Sequence, residues 1–144
     1  MFIGEYESTI DDKNRVVLPR KFRDAVDVEQ EGEELFLTLD PDGCLLICPR
    51  SEWQRRLAQL DQTPYAKEKL RRFRRYVSSM TEPSKFDKQG RMLLPQRLLD
   101  IVKIEREVYL VGNLSVIEVW PAALWKQRRE EAHREFSKDI EDLF

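Results

Sequence analysis

The chain has 144 residues, two cysteines and a formal net charge of −2, long enough to build a core without disulfide or metal staples. No apolar stretch approaches the roughly 20 residues that span a bilayer. Met1-Phe2-Ile3-Gly4-Glu5-Tyr6-Glu7 turns acidic at once instead of opening on a basic region, so no secretory signal is expected and a cytoplasmic location fits.

Acidity on average argues against a nucleic-acid partner, because phosphate binding needs positive potential. The charges are segregated, however: Lys13, Arg15, Arg20, Lys21 and Arg23 precede the acidic stretch Asp27, Glu29, Glu31, Glu33 and Glu34. Basic faces therefore exist on an acidic protein.

In chain order, a short strand is expected from Gly4 to Ile10, then a tight turn, then a buried strand at Val16-Val17-Leu18. Proline forces extended geometry on the residue before it and suits a helix start, so Leu18-Pro19 marks a strand giving way to a short helix. The acidic stretch 27 to 34 has the character of a loop insertion. Strands at Leu35-Phe36-Leu37 and Leu45-Leu46-Ile47-Cys48 are joined by the turn Asp40-Pro41-Asp42-Gly43, and Ser51 starts a helix. Alternation puts Cys44 and Cys48 on one strand face as packed spectators, since two cysteines alone make no four-ligand zinc site.

Pro64 then opens a helix in which Ala66, Leu70, Phe73, Val77 and Met80 recur at helical spacing, the pattern of one buried face. Its other faces are basic through Arg71, Arg72, Arg74 and Arg75. Such a surface can be solvated, can bind the acidic tail of a neighbouring protomer, or can touch DNA. Further along come strands at Ser84 to Phe86 and Met92-Leu93-Leu94, a helix after Pro95, strands at Val108-Tyr109-Leu110 and Val116 to Trp120 joined by a turn at Gly112-Asn113, and a helix from Pro121. A final stripe, Trp125, Ala132, Phe136, Ile140 and Leu143, lies along a last helix whose end, from Glu130 to Asp142, is predominantly acidic.

The second half repeats the first. With Asp11 laid on Asp87, DDKNRVVLPRKFRD meets DKQGRMLLPQRLLD, and Arg15/Arg91, Leu18/Leu94, Pro19/Pro95 and Asp24/Asp100 coincide. In each copy a tryptophan, Trp53 or Trp125, follows a proline by four residues; these and Trp120 read as packing aromatics. Four short strands per half cannot cover their own faces, so the halves are expected to interlock into one barrel.

The repeated Asp-x-x-x-Arg-apolar-apolar-Leu-Pro is the candidate site. Asp11 and Asp87 can accept backbone N–H groups and shape the turn. Asn14 and Gly90 stand where a positive φ is needed, which both residue types tolerate. Arg15 and Arg91 then leave a rigid turn and can bind phosphate, or the O6 and N7 of guanine, in bidentate fashion. A single such pair would read as a surface turn that only holds a loop; its recurrence, taken with the family resemblance that the motifs carry, favours a nucleic-acid contact.

These motifs, with the opening Met1 to Tyr6 and the run Val108-Tyr109-Leu110-Val111-Gly112-Asn113 followed by Ile117-Glu118-Val119-Trp120, resemble the MraZ family within the SpoVT/AbrB superfamily over nearly the whole chain. The resemblance implies a β-rich α+β fold in which tandem AbrB-like halves form a swapped-hairpin (double-split) β-barrel with peripheral helices, and assembly of protomers into a ring. It implies a transcriptional regulator, associated with the nucleoid, of the division and cell-wall gene cluster, binding repeated boxes of double-stranded promoter DNA through its DxxxR loops. The DNA-binding set is then Lys13, Arg15, Arg20, Lys21, Lys88 and Arg91, with Asp11, Asn14, Asp87 and Gly90 shaping the loops. Lys13 has Gln89 as its counterpart and the second copy's lysine falls one place earlier, at Lys88, which makes the loops unequal and favours the first. The division expected is 1-53 and 82-125 for the AbrB-like halves, 54-81 for a connecting helical segment and 126-144 for the last helix and tail.

An enzyme is the weaker reading: the lone His133 lies in the acidic last helix, Asp40 and Asp42 are explained by their turn, and nucleophile or phosphate-loop motifs are absent. A partner-binding module like the superfamily's antitoxin branch fits poorly, since those chains usually hold one copy. No metal, cofactor, small-molecule ligand or membrane partner is implied.

Overall fold

The computed structural model describes residues 1–26, 34–62 and 67–144. The first copy supplies β1 (Glu5–Thr9), β2 (Arg15–Val17), α1 (Arg20–Ala25), β3 (Leu35–Leu39), β4 (Leu45–Pro49) and α2 (Arg50–Asp61); α3 (Glu68–Met80) follows. The second supplies β5 (Glu82–Ser84), β6 (Arg91–Leu93), α4 (Gln96–Ile101), β7 (Glu107–Asn113), β8 (Val116–Pro121) and α5 (Ala122–Leu143). Most of the acidic stretch, and the helix start expected at Pro64 with Ala66, lie outside the described residues.

The fold is mixed α+β, with antiparallel pairing in every ladder. Six strands form one sheet in the order β1-β7-β8-β4-β3-β5, and β2 and β6 form a separate two-stranded ribbon. The order is palindromic in the repeat. The first strand of each copy pairs with the third strand of the other, the fourth strands pair with each other, and so do the second strands. Each copy therefore completes its neighbour's sheet.

The expected closed barrel is corrected by this pairing. β1 and β5 are opposite edges of the large sheet, and the ribbon bonds within itself. Its strands are three residues long and each runs into Leu-Pro; proline offers no N–H with which to extend a ladder. The ribbon closes one side of the core by packing. Val16, Leu18, Met92 and Leu94 are sealed there with Leu35, Leu37, Leu45, Ile47, Leu110 and Ile117 from the sheet, and with Phe22, Leu98 and Leu99 from α1 and α4.

On the sheet's other face a smaller cluster gathers Cys44, Leu46, Cys48, Tyr109, Val111 and Trp120 under Trp53 of α2 and Trp125 of α5. β4 is buried on both faces, its alternate residues feeding the two cores. The thiols are free, and burial pushes both up, Cys48 to about 11. Trp53 stacks on Phe36, and Trp125 tilts against Trp120 with ring centres 5.5 Å apart.

Several local expectations change. The strand expected at Ser84 to Phe86 is at Glu82–Ser84, and Val17, in the run expected to be buried, faces outward. The β7–β8 turn is at Leu114-Ser115, with Leu114 at φ 60°, not at Gly112-Asn113. Gly112 lies inside β7, where a Cβ would come 2.5 Å from the backbone of Phe2 and Ile3, so glycine is needed for close chain approach. α2 starts at Arg50, one residue before Ser51. Last, the apolar stripe of α3 is only half-buried: Met80 packs against the main core, but no residue of the helix is fully buried and Phe73 is 52% exposed.

Candidate nucleic-acid interface

The two loops are built alike, bond for bond. In the first, the Asp11 N–H donates to the Arg15 carbonyl at 2.9 Å and the Asn14 N–H to the Asp11 carbonyl at 3.0 Å. Asp11 Oδ1 accepts from the backbone N–H of Lys13 at 2.9 Å and of Arg15 at 2.8 Å, and Oδ2 accepts Arg15 Nε at 2.8 Å. In the second, Asp87 Oδ1 accepts from the N–H of Gln89 at 2.9 Å and of Arg91 at 3.0 Å, with Arg91 Nε on Oδ2 at 2.8 Å. The Arg15 and Arg91 N–H bonds, then the other local bonds, hold Asp11 and Asp87 below the usual carboxylate range.

Asn14 at φ 59° and Gly90 at φ 80° turn the chain before each arginine, the left-handed geometry expected of them. Gly90 has a second reason to be glycine. A Cβ there would sit 2.7 Å from the Arg23 guanidinium, which lies against the loop while Nε donates to the Leu18 carbonyl at 3.1 Å. On the other side Asn14 Nδ2 donates to Gln96 Oε1 at 2.9 Å, and Gln96 Nε2 to Asp100 at 2.8 Å. Each copy thus braces the other's loop. Gln96 and the packing role of Arg23 were missed in the sequence, because only the fold brings residues of different copies together.

The ribbon decides how the loops sit. Arg15 faces Leu93, Val17 faces Arg91, and Leu18 and Leu94 donate N–H bonds of 2.8 Å to the carbonyls of Gly90 and Asn14. Arg15, Val17, Arg91 and Leu93 therefore share the outward face, since Val16 and Met92 are sealed in the core. Arg15 and Arg91 are diagonal neighbours, on the order of 7–8 Å apart along the ribbon, with exposed Val17 and Leu93 beside them. The side chains of Arg15 and Arg91 are 27% and 33% exposed, and the carboxylate clamp engages Nε, leaving both Nη groups outside that bond.

The remaining residues of the expected set lie around this face. Lys13, Lys88 and Gln89 are exposed at the loop tips. Arg20 and Lys21 are exposed on α1, Arg20 loosely paired with Asp24 at 3.8 Å. Arg106, not anticipated, adds a cation beside the first loop, 3.7 Å from Asp12.

A family model described as "MraZ protein, putative antitoxin-like" matches residues 1–76 and 79–144. The chain belongs to the MraZ family. It is 37% identical over 143 residues to the "Transcriptional regulator MraZ" of Lactobacillus gasseri and 36% over 143 residues to that of Pediococcus pentosaceus, covering 99% of this chain and 96% of each relative. A Thermoanaerobacter relative of the same name is 34% identical over 146 residues, 99% of both chains. The family is thus named for regulation, not for catalysis. Among the described residues no group of His, Cys, Asp and Glu could hold a metal ion, and no helix is long and apolar enough to cross a membrane.

Proposed function

We propose that this protein is a sequence-specific regulator that binds double-stranded promoter DNA with both DxxxR loops at once. The observation that carries the reading is the pair of clamped guanidinium groups on one face of a two-stranded ribbon. A ribbon of that width fits a major groove about 12 Å wide. Each arginine is held at Nε, so its Nη groups meet a guanine edge or a phosphate with little rotamer entropy left to lose. Lys13, Lys88, Arg20, Lys21 and Arg106 would supply sequence-independent attraction to the backbone. The first copy's charge stays the denser, yet the ribbon presents both loops, so neither acts alone.

The family's finer attributes extend this reading. Strand exchange between the copies supports describing the fold as a swapped-hairpin, double-split barrel that packing, not one continuous ladder, completes. We assign the protein to a cytoplasmic, nucleoid-associated ring acting on repeated boxes ahead of a division and cell-wall gene cluster. A ring with one ribbon per protomer makes later contacts intramolecular, so weak single contacts sum on a repeated operator.

The test is binding to the region upstream of the protein's own gene against a scrambled duplex, at two salt concentrations. Wild type should prefer the promoter, and Arg15→Ala with Arg91→Ala should abolish that preference while the protein stays folded. A folded double variant that still prefers the promoter would refute the proposal.

A further inference from the structure

Two helices carry apolar side chains that the single chain leaves half or wholly uncovered, Phe73 and Tyr76 on α3 and Phe136, Ile140 and Leu143 on α5. On α3, Phe73 and Tyr76 stand about half exposed over a groove of about 460 Å³, whose lining includes Leu39, Asp40, Ile101 and Leu124. A second cleft of about 310 Å³ continues past Phe73 toward Trp53 and Leu60 of α2. On α5, Trp125 and Arg129 are tied to Glu5 at 2.9 and 2.6 Å, and beyond Glu131 every residue is exposed, including Phe136, Ile140 and Leu143. An amphipathic helix end with its apolar side in water lacks the burial that normally holds such a helix.

The charges beside the stripes are opposite. Lys69 and Arg72 lie three or four residues from Phe73 and Tyr76, on the same side of α3, and Lys103 lines the groove. Glu135, Asp139 and Asp142 run parallel to Phe136, Ile140 and Leu143 along α5. The lengths also match, about 20 Å for α3 and for the acidic end of α5. A chain cannot insert its own tail: Leu124, at the start of α5, already lines the groove, and Phe136 lies about 18 Å further along the same unbroken helix.

We infer that the acidic end of α5 from a second copy of this chain seats in the groove beside α3, Phe136 and Ile140 against Phe73 and Tyr76, and Glu135 and Asp139 against Lys69 and Arg72. The two faces differ, so the contact is head to tail and each protomer has one of each to offer. It supplies the interface that the proposed ring requires, and rests on that part of the functional reading alone; the DNA loops take no part in it.

Light scattering after size exclusion tests the contact. Wild type should exceed the 17.2 kDa of one chain, and Phe136→Asp with Ile140→Asp, or Phe73→Asp with Tyr76→Asp, should reduce it to that mass with the circular dichroism of a folded protein. A mixture of the two variants should form a one-to-one pair and nothing larger, because one face of each kind survives. Lys69→Glu with Arg72→Glu should also lose assembly, and adding Glu135→Lys and Asp139→Lys should restore it. A wild-type monomer, a tail variant of wild-type mass, or reversed charges that fail to rescue would overturn the inference. Binding to a single promoter box should be unchanged in the monomeric variants, so loss of assembly and loss of DNA contact are read separately.

Discussion

Replacing Arg15 by lysine keeps the charge and removes the geometry. In the wild-type loop the guanidinium gives Nε to Asp11 Oδ2 at 2.8 Å and keeps its two Nη groups for an outside partner. A lysine has one ammonium group, which can stay with Asp11 or reach nucleic acid but cannot form a planar pair of bonds while clamped. A bidentate base contact is worth about 1–3 kcal/mol of discrimination, so Arg15→Lys should lower affinity for the promoter by about 5- to 150-fold. Affinity for a scrambled duplex should hardly change, since counterion release depends on charge. Folding should also survive, because Arg15 lies on the outward face while the core position is Val16. Fluorescence anisotropy on both duplexes through a salt titration separates these terms. Equal loss on both duplexes, or none on either, would refute the geometric argument, and Arg91→Lys should behave alike because its clamp is the same.

Gly90→Ala should destabilise the fold by about 1–3 kcal/mol, through a positive φ and collision with Arg23; urea unfolding should show a lower midpoint at constant slope. Gly112→Ala should cost at least about 2 kcal/mol, because its Cβ would meet the Phe2–Ile3 backbone and not a movable side chain; hydrogen exchange should show β1 opening first. Glu52, bonded by Arg55 and Arg56 and only 9% exposed in its side chain, is drawn from 4.5 to about 2, first by its bond to Arg55. A lowered folded-state value means stability present above pH 4.5 and lost as pH falls toward 2. Glu52→Gln should therefore flatten the acid limb of the stability curve over that window, at a cost near neutrality on the order of 1–2 kcal/mol once screening at half-exposed Arg55 is allowed for; a limb of unchanged slope in thermal melts would contradict the assignment.

Local chemistry alone determined the duplication, most strand and helix positions, and the carboxylate-braced turn with its left-handed residue before each arginine. Those features depend on neighbours a few residues apart, and φ preference, proline geometry and side-chain reach are local quantities. Tertiary structure decided the rest. Only the exchange of first strands between copies explains Gly112 as a crossing point, and only the β2–β6 pairing sets two loops 76 residues apart side by side with Arg23 and Gln96 as braces. Periodicity likewise revealed apolar stripes on α3 and α5 without saying what covers them, because burial is settled by the other surfaces present, and in one chain neither stripe meets enough of them.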